Sequence, residues 1–122
     1  MMSCDVQIGK PGYLVLPDCK IPVLRLKVRR NPQNQIQELI VYLDPSQKVR
    51  EKLKSHKSVP LELRGMVERI EVDIPLEFCG WHEDDLRRGF QHLHKTKLDQ
   101  NEIQTIERFL EKIASRHGKA AQ

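Results

Sequence analysis

Four side chains able to ligate a metal fall within one short stretch. The segment "FCGWHEDDLRRGFQHLH", residues 78–94, carries Cys79, His82, His92 and His94. A zinc site needs four nitrogen or sulfur donors converging near tetrahedral geometry. The Cys79-x-x-His82 spacing is compatible with that, and the His92-x-His94 pair is the harder half. On a helix those two residues point about 200° apart; on a strand they share a face. The plainer account is a buried Cys79 at a strand end with surface histidines on a basic helix. It is the one preferred, so neither a metal nor any other cofactor is expected. Cys79 with a histidine could in principle form a nucleophilic pair, but a lone buried thiol is far commoner. The sequence holds no nucleophile elbow, phosphate-binding glycine loop or zinc-protease motif. Glu83, Asp84 and Asp85 suit the positive start of a helix and need no catalytic role. A non-enzymatic protein is expected.

Anion binding is better represented. Arg25, Lys27 and Arg29 occupy alternate positions of "IPVLRLKVRR", with Arg30 adjacent. Guanidinium groups contact phosphates in two places and stack on planar rings. A second basic set, Lys48, Arg50, Lys52, Lys54 and Lys57, surrounds its segment and forms no stripe. The net charge is +4 over 122 residues, and it is unevenly distributed. Residues 1–58 hold 11 Lys/Arg against 5 Asp/Glu, residues 59–85 hold 2 against 8, and residues 86–122 hold 8 against 4. Such segregation offers a basic face to an anionic partner. It equally allows the basic face of 25–29 to pair with the acidic face of Arg69, Glu71 and Asp73. Nucleic-acid binding would add aromatic platforms, and Tyr13, Tyr42 and Trp81 are scattered along the chain.

The elements that must position these groups follow from periodicity. Leu24, Leu26 and Val28 alternate with the three cations, as a half-buried strand requires. "NPQNQ" is a turn, and "IQELIVYL" should pair back as an antiparallel hairpin. "LELRGMVERIEVDI" reads as one long strand or as two with a bend at Gly65. "DPSQKVREKLKSHK" reads as a short helix, with Asp44 as N-cap, Pro45 first and Gln47 completing a capping box. Residues 86–94 suit either a helix or a strand. The last helix has Asp99 as cap, Glu102 closing the box and Leu98 stapled to Ile103. Its apolar face is Ile103, Ile106, Phe109, Leu110 and Ile113, with Gly118 as the stop. That face must dock on the sheet or on a second copy of the chain. Trp81 follows Gly80 at an element junction, as a core plug or a partner anchor.

Length and composition fit a single α+β domain over 1–118 with a disordered tail at 119–122. The three cysteines show no disulfide spacing. No signal sequence or apolar run long enough for a bilayer is seen, so a cytoplasmic protein without membrane insertion is expected.

The order "LELRGMVERIE", an irregular connection, "RRGFQHL" and "LDQNEIQTIERFLEKI" resembles the C-terminal half of PilZ domains over about residues 61–114. The resemblance implies an antiparallel six-stranded β-barrel, or a strongly curled sheet, closed by a C-terminal helix, with 88–93 as a strand. It implies cyclic di-GMP as ligand, held by an Arg-x-x-x-Arg motif matched by Arg25 and Arg29 and by an Asp-x-Ser motif matched by Asp44 and Ser46. In this chain Val49 stands where the second motif has glycine. Divergent members act through protein contacts. The expected ligand-binding set is therefore Arg25, Lys27, Arg29, Arg30, Asp44 and Ser46. The expected partner-binding set is Trp81, Lys48, Arg50, Lys52 and Lys54. The expected function is a binding or adaptor module with a protein partner or cyclic di-GMP. The alternative is a small nucleic-acid-binding protein using the two basic segments.

Overall fold

The computed structural model describes residues 5–44, 46–74 and 91–121, with side chains of the last helix described to residue 114. Its elements run β1 (Asp5–Val15), β2 (Lys20–Arg30), β3 (Ile36–Leu43), α1 (Gln47–Leu53), β4 (Ser58–Leu63), β5 (Arg69–Asp73), β6 (Gln91–Lys95) and α2 (Gln100–Ala121). The six strands form one antiparallel sheet in the order β5-β4-β1-β2-β3-β6. Its two outermost strands, β5 and β6, come back into contact, so the sheet curls into a nearly closed barrel. The α+β class, the curled sheet and the C-terminal helix are as the sequence indicates.

The first three strands are a meander. Asn31 builds the β2–β3 turn, its side-chain oxygen accepting from the Gln33 and Gln35 amides at 3.0 and 2.9 Å. Asn34 takes the left-handed conformation (φ 66°) that asparagine tolerates well. The chain then crosses one barrel end through α1, and β4 pairs with the far side of β1. Gly65, at φ 81°, turns β4 into β5, so the 61–74 segment is a hairpin of two strands.

Alternation sorts side chains between core and solvent. Leu14, Val23, Leu26, Val28, Leu39, Val41, Leu43, Val59, Leu61, Leu63, Ile70, Val72 and Leu93 are all at most 1% exposed and form one cluster. Leu24 departs from the expected inward row and is 43% exposed. The cause lies in β1. Between Gly9 and Gly12 the register shifts, so Lys10 and Pro11 both stand opposite Leu24. This bulge moves the inward face of β2 from Val23 to Leu26 and adds twist, which helps the sheet curl.

A helix covers each end of the barrel. The register places the end of β2, the start of β3, the β4–β5 turn and the end of β6 together, and α2 lies across that end. Ile106 and Phe109 are buried there, with Leu98, Ile103, Leu110 and Ile113 packed against the cluster. Its start is the expected capping box: the Glu102 amide donates to Asp99 Oδ1 at 2.8 Å, and the Asp99 amide donates to Glu102 Oε1 at 3.1 Å. The helix runs past Gly118 to Ala121, since an interior glycine costs a helix only about 1 kcal/mol. At the opposite end α1 buries Leu53 completely and packs Val49 on the core. Its N-cap is Ser46, whose Oγ accepts from the Val49 amide at 3.3 Å, in place of the expected Asp44.

Gly12 joins the two halves of the sheet. A Cβ there would run into the backbone carbonyl of Glu62 on β4. Gly12→Ala should therefore force β1 and β4 apart and lower stability by about 3 kcal/mol or more in urea unfolding. Gly9→Ala, where a Cβ meets nothing within 4 Å, should change it by less than about 1 kcal/mol.

Candidate binding face on β2, β3 and β6

The three alternate cations of β2 point outward. Antiparallel pairing sets Arg25 opposite Tyr42, Lys27 opposite Ile40 and Arg29 opposite Glu38. On the other flank Lys27 faces Gln7 and Arg29 faces Asp5. Beyond β3, Tyr42 pairs with His92 and Ile40 with His94. Those of β2, β3 and β6 make one outer face three strands wide, roughly 10 Å between its outer strands, with Asp5 and Gln7 of β1 along its β2 side. Ile40 projects into its middle and is only 5% exposed.

At one end of this face lies a row of rings and a cation. The Arg25 guanidinium sits 5.7 Å from the Tyr42 ring centre, and the same ring is 5.8 Å from that of His92. His92 and His94 stand edge to face at 4.9 Å. Arg25 also donates to Gln7 Oε1 at 3.1 Å. The other end is an ion-pair network. Asp5 lies 3.5 Å from Lys27 and 3.7 Å from Arg29, and Glu38 accepts from Arg29 at 3.3 Å and meets His94 Nδ1 at 2.8 Å. Burial works to raise the Glu38 pKa. Its hydrogen bonds to His94 and Arg29 outweigh that and hold the carboxyl below the usual glutamate value.

The cationic face therefore finds its carboxylates on its immediate neighbours. The expected match with Arg69, Glu71 and Asp73 does not form, because β4 and β1 stand between β2 and β5. The acidic hairpin has its own partners: Arg69 pairs with Glu62 at 2.9 Å, and Ser58 donates to Glu71 at 3.0 Å.

The six residues expected to hold a ligand do not converge. Arg25 and Arg29 share a face but lie about 13 Å apart along the strand. Arg30 is on the α2 side of the barrel, after a register shift that separates it from Arg29. It makes two bonds to the Glu107 carboxylate, at 2.6 and 3.1 Å, and a third to the Asn34 carbonyl at 2.9 Å. Asp44 and Ser46 sit at the opposite end, where β3 runs into α1, and the Ser46 hydroxyl is engaged as a cap. Among the expected partner residues, Arg50 is 4% exposed and has its partner within the protein, so it leaves the solvent-facing set. Lys52 is half-buried with its Nζ 3.8 Å from Cys19 Sγ, Lys54 pairs with Glu51 at 2.8 Å, and Lys48 is exposed. Trp81, Cys79 and His82 lie outside the described residues. His92 and His94 are on β6 and not on the basic helix expected, because residues 91–95 pair with β3; they share a face, the arrangement that would let both bind one ion. Among the described residues, no group of three or more ligating side chains is placed to hold a metal.

Tyr42, His92, Gln7, Asp5 and Glu38 complete this face, and sequence reasoning did not assign them to it. Their signal was parity: each occupies an outward position of its strand, but only the pairing order brings those positions together. The fold and face define a six-stranded antiparallel barrel with a mixed basic and aromatic surface. No protein family, curated protein or solved structure matches the chain. Among the described residues, no helix is long and apolar enough to cross a membrane.

The Arg30–Glu107 pair ties α2 to β2. Hydrogen bonding to Arg30 outweighs burial and holds the Glu107 carboxyl below its usual value. A depressed carboxylate pKa stabilises the fold above the unfolded-state pKa, near 4.3. That contribution fades as pH falls through the folded value. Glu107→Gln should cost about 1–2 kcal/mol near neutral pH. The difference from the unsubstituted chain should vanish below the folded carboxyl pKa, as read by urea unfolding across a pH series.

Proposed function

We propose that the protein is a non-enzymatic binding module, a divergent PilZ-like barrel that meets an anionic partner through the outer face of β2, β3 and β6. One observation carries this: Arg25 lies over Tyr42, with His92 on the next strand. A guanidinium beside an aromatic ring offers a charge for a phosphate and a flat surface for a base. The strand scaffold fixes these groups on a rigid surface, which lowers the entropy lost on binding. Arg29 is held by Asp5 and Glu38, while Arg25 stands beside the ring on which a base would stack.

Cyclic di-GMP is the first ligand to test, on the Arg25-x-x-x-Arg29 resemblance. Calorimetric titration should give micromolar binding, and Arg25→Ala should weaken it about 10- to 100-fold, the range for a hydrogen bond to a charged group. Glu38→Gln, which removes one negative charge from the face, should tighten it by about 2- to 5-fold. An absence of heat at high micromolar ligand would leave an adaptor acting through protein contacts.

A second reading is favoured by the extent of the ring-and-cation row, which crosses three strands as a stacking surface for single-stranded nucleic acid does. Binding of a short single-stranded oligonucleotide should then weaken steeply with salt through counterion release. A gel-shift series without complex in low-salt buffer excludes it.

A further inference from the structure

Strand β1 has two edges, and only one is paired throughout. Its first half, Asp5 to Gly9, pairs with β2 on one side. On the other side β4 reaches only Gly12, Tyr13 and Leu14. Among the described residues, no strand meets the second edge of 5–9. The reason is local: β4 ends at Leu63 and turns at Gly65, while the Lys10–Pro11 bulge carries β1 onward. The last bond of the seam runs from the Arg64 amide to the Pro11 carbonyl at 2.7 Å.

Past that bond lies a groove of about 260 Å³ between β1 and α2. Ile8, Phe109 and Ile113 form its apolar floor, and Lys10, Arg64 and Lys112 stand around it. Val6, on the same side of β1 as Ile8, stays 38% exposed although its partner Val28 is fully buried. No carboxylate lines the groove among the described residues. Lys112 Nζ donates to the Gly65 carbonyl at 2.9 Å, and neither Lys10 nor Arg64 has an ion-pair partner among the described residues. Elsewhere on the barrel Arg29, Arg30, Arg69 and Arg108 each meet a carboxylate. Three cations around an apolar floor beside an open strand edge form a combined signal.

We infer that this groove takes an extended acidic peptide of a partner protein, added as a strand to β1 at residues 5–9. Main-chain bonds to the strand edge provide affinity, and an apolar side chain seated on Phe109 and Ile113 sets the register. Flanking carboxylates meet Lys10, Arg64 and Lys112. Lys10, Arg64 and Lys112 with no carboxylate among the described lining residues favour an acidic segment over a second copy of this chain, whose net charge is +4. The groove lies apart from the face of β2, β3 and β6 and does not depend on what that face binds.

The test is backbone amide exchange on the full chain, with a short peptide alternating glutamate and valine and its lysine–valine counterpart. The glutamate peptide should slow exchange by about 10-fold or more at those amides of residues 5–10 that point away from β2, and half-molar salt should weaken it several-fold. Arg64→Gln should weaken binding by about 3- to 10-fold with the unfolding midpoint unchanged, because the side chain is exposed. Lys10→Gln provides the same readout should the first variant lose stability. Equal binding of both peptides, no slowing at millimolar peptide, or protection in the free chain of those amides of residues 5–10 that point away from β2 would each overturn the inference.

Discussion

The barrel depends on one close approach of backbone to backbone. Four strands, β1, β2, β3 and β6, form one continuous ladder, and β4 with β5 form a separate hairpin. Among the described residues β1 and β4 are joined at three registered pairs, Gly12–Leu63, Tyr13–Glu62 and Leu14–Leu61. Gly12 allows the seam because its missing side chain leaves room for the Glu62 carbonyl. The adjacent bulge twists β1 at the same point, so pairing and curvature arise together. The inward residues of the hairpin, Val59, Leu61, Leu63, Ile70 and Val72, then close over the same core as those of the meander.

Once the sheet is curled, its ends must be covered, because inward-facing side chains would otherwise meet water. The two helices do this unequally. Among the described residues, helix α2 has a full apolar face and is tied around its end of the barrel by three ion pairs, Arg30 to Glu107, Lys95 to Glu102 and Glu68 to Arg108, and by the Lys112 bond to the Gly65 carbonyl. Helix α1 has two turns and anchors through Leu53 and Val49. Most ion pairs of the surface are half-exposed and contribute little individually. Two pairs depart from this: the Arg30 fork, with the arginine side chain only 14% exposed and both bonds to one carboxylate, and Lys95–Glu102, whose side chains are 11% and 15% exposed.

The same pairing order produces the candidate face. An outward residue on β2 meets outward residues on β3, which meet those on β6, so a row of unlike side chains becomes a surface. Charge is balanced at one end of it by Asp5 and Glu38, while the other end gathers Arg25, Tyr42 and His92. The two ends of the face thus differ chemically although they come from one alternating strand. Parity also explains the groove on the far side of β1, where inward Val6 and Ile8 extend beyond the end of β4.

Much of the local structure was legible from residues alone. The Asp99–Glu102 box, the apolar face of 103–113, the β2–β3 hairpin and the outward cations of 25–29 all follow from short-range periodicity and capping chemistry. Where one local signal competed with another, the reading slipped: Ser46 caps α1 in place of Asp44, and helix continues through Gly118. Leu24 turned outward because a bulge on a different strand shifted its register. The partners of the cationic face were not legible, since complementary charge at 69–73 looked equally suitable in one dimension. The sequence by itself determined which side of each element is apolar, because that depends on neighbours two to four residues away. Only the tertiary structure decided which elements lie side by side. It set Arg25 against Tyr42 and His92, set Arg30 against Glu107, and left β1 open at 5–9, because strand order is fixed by burial shared across the whole chain.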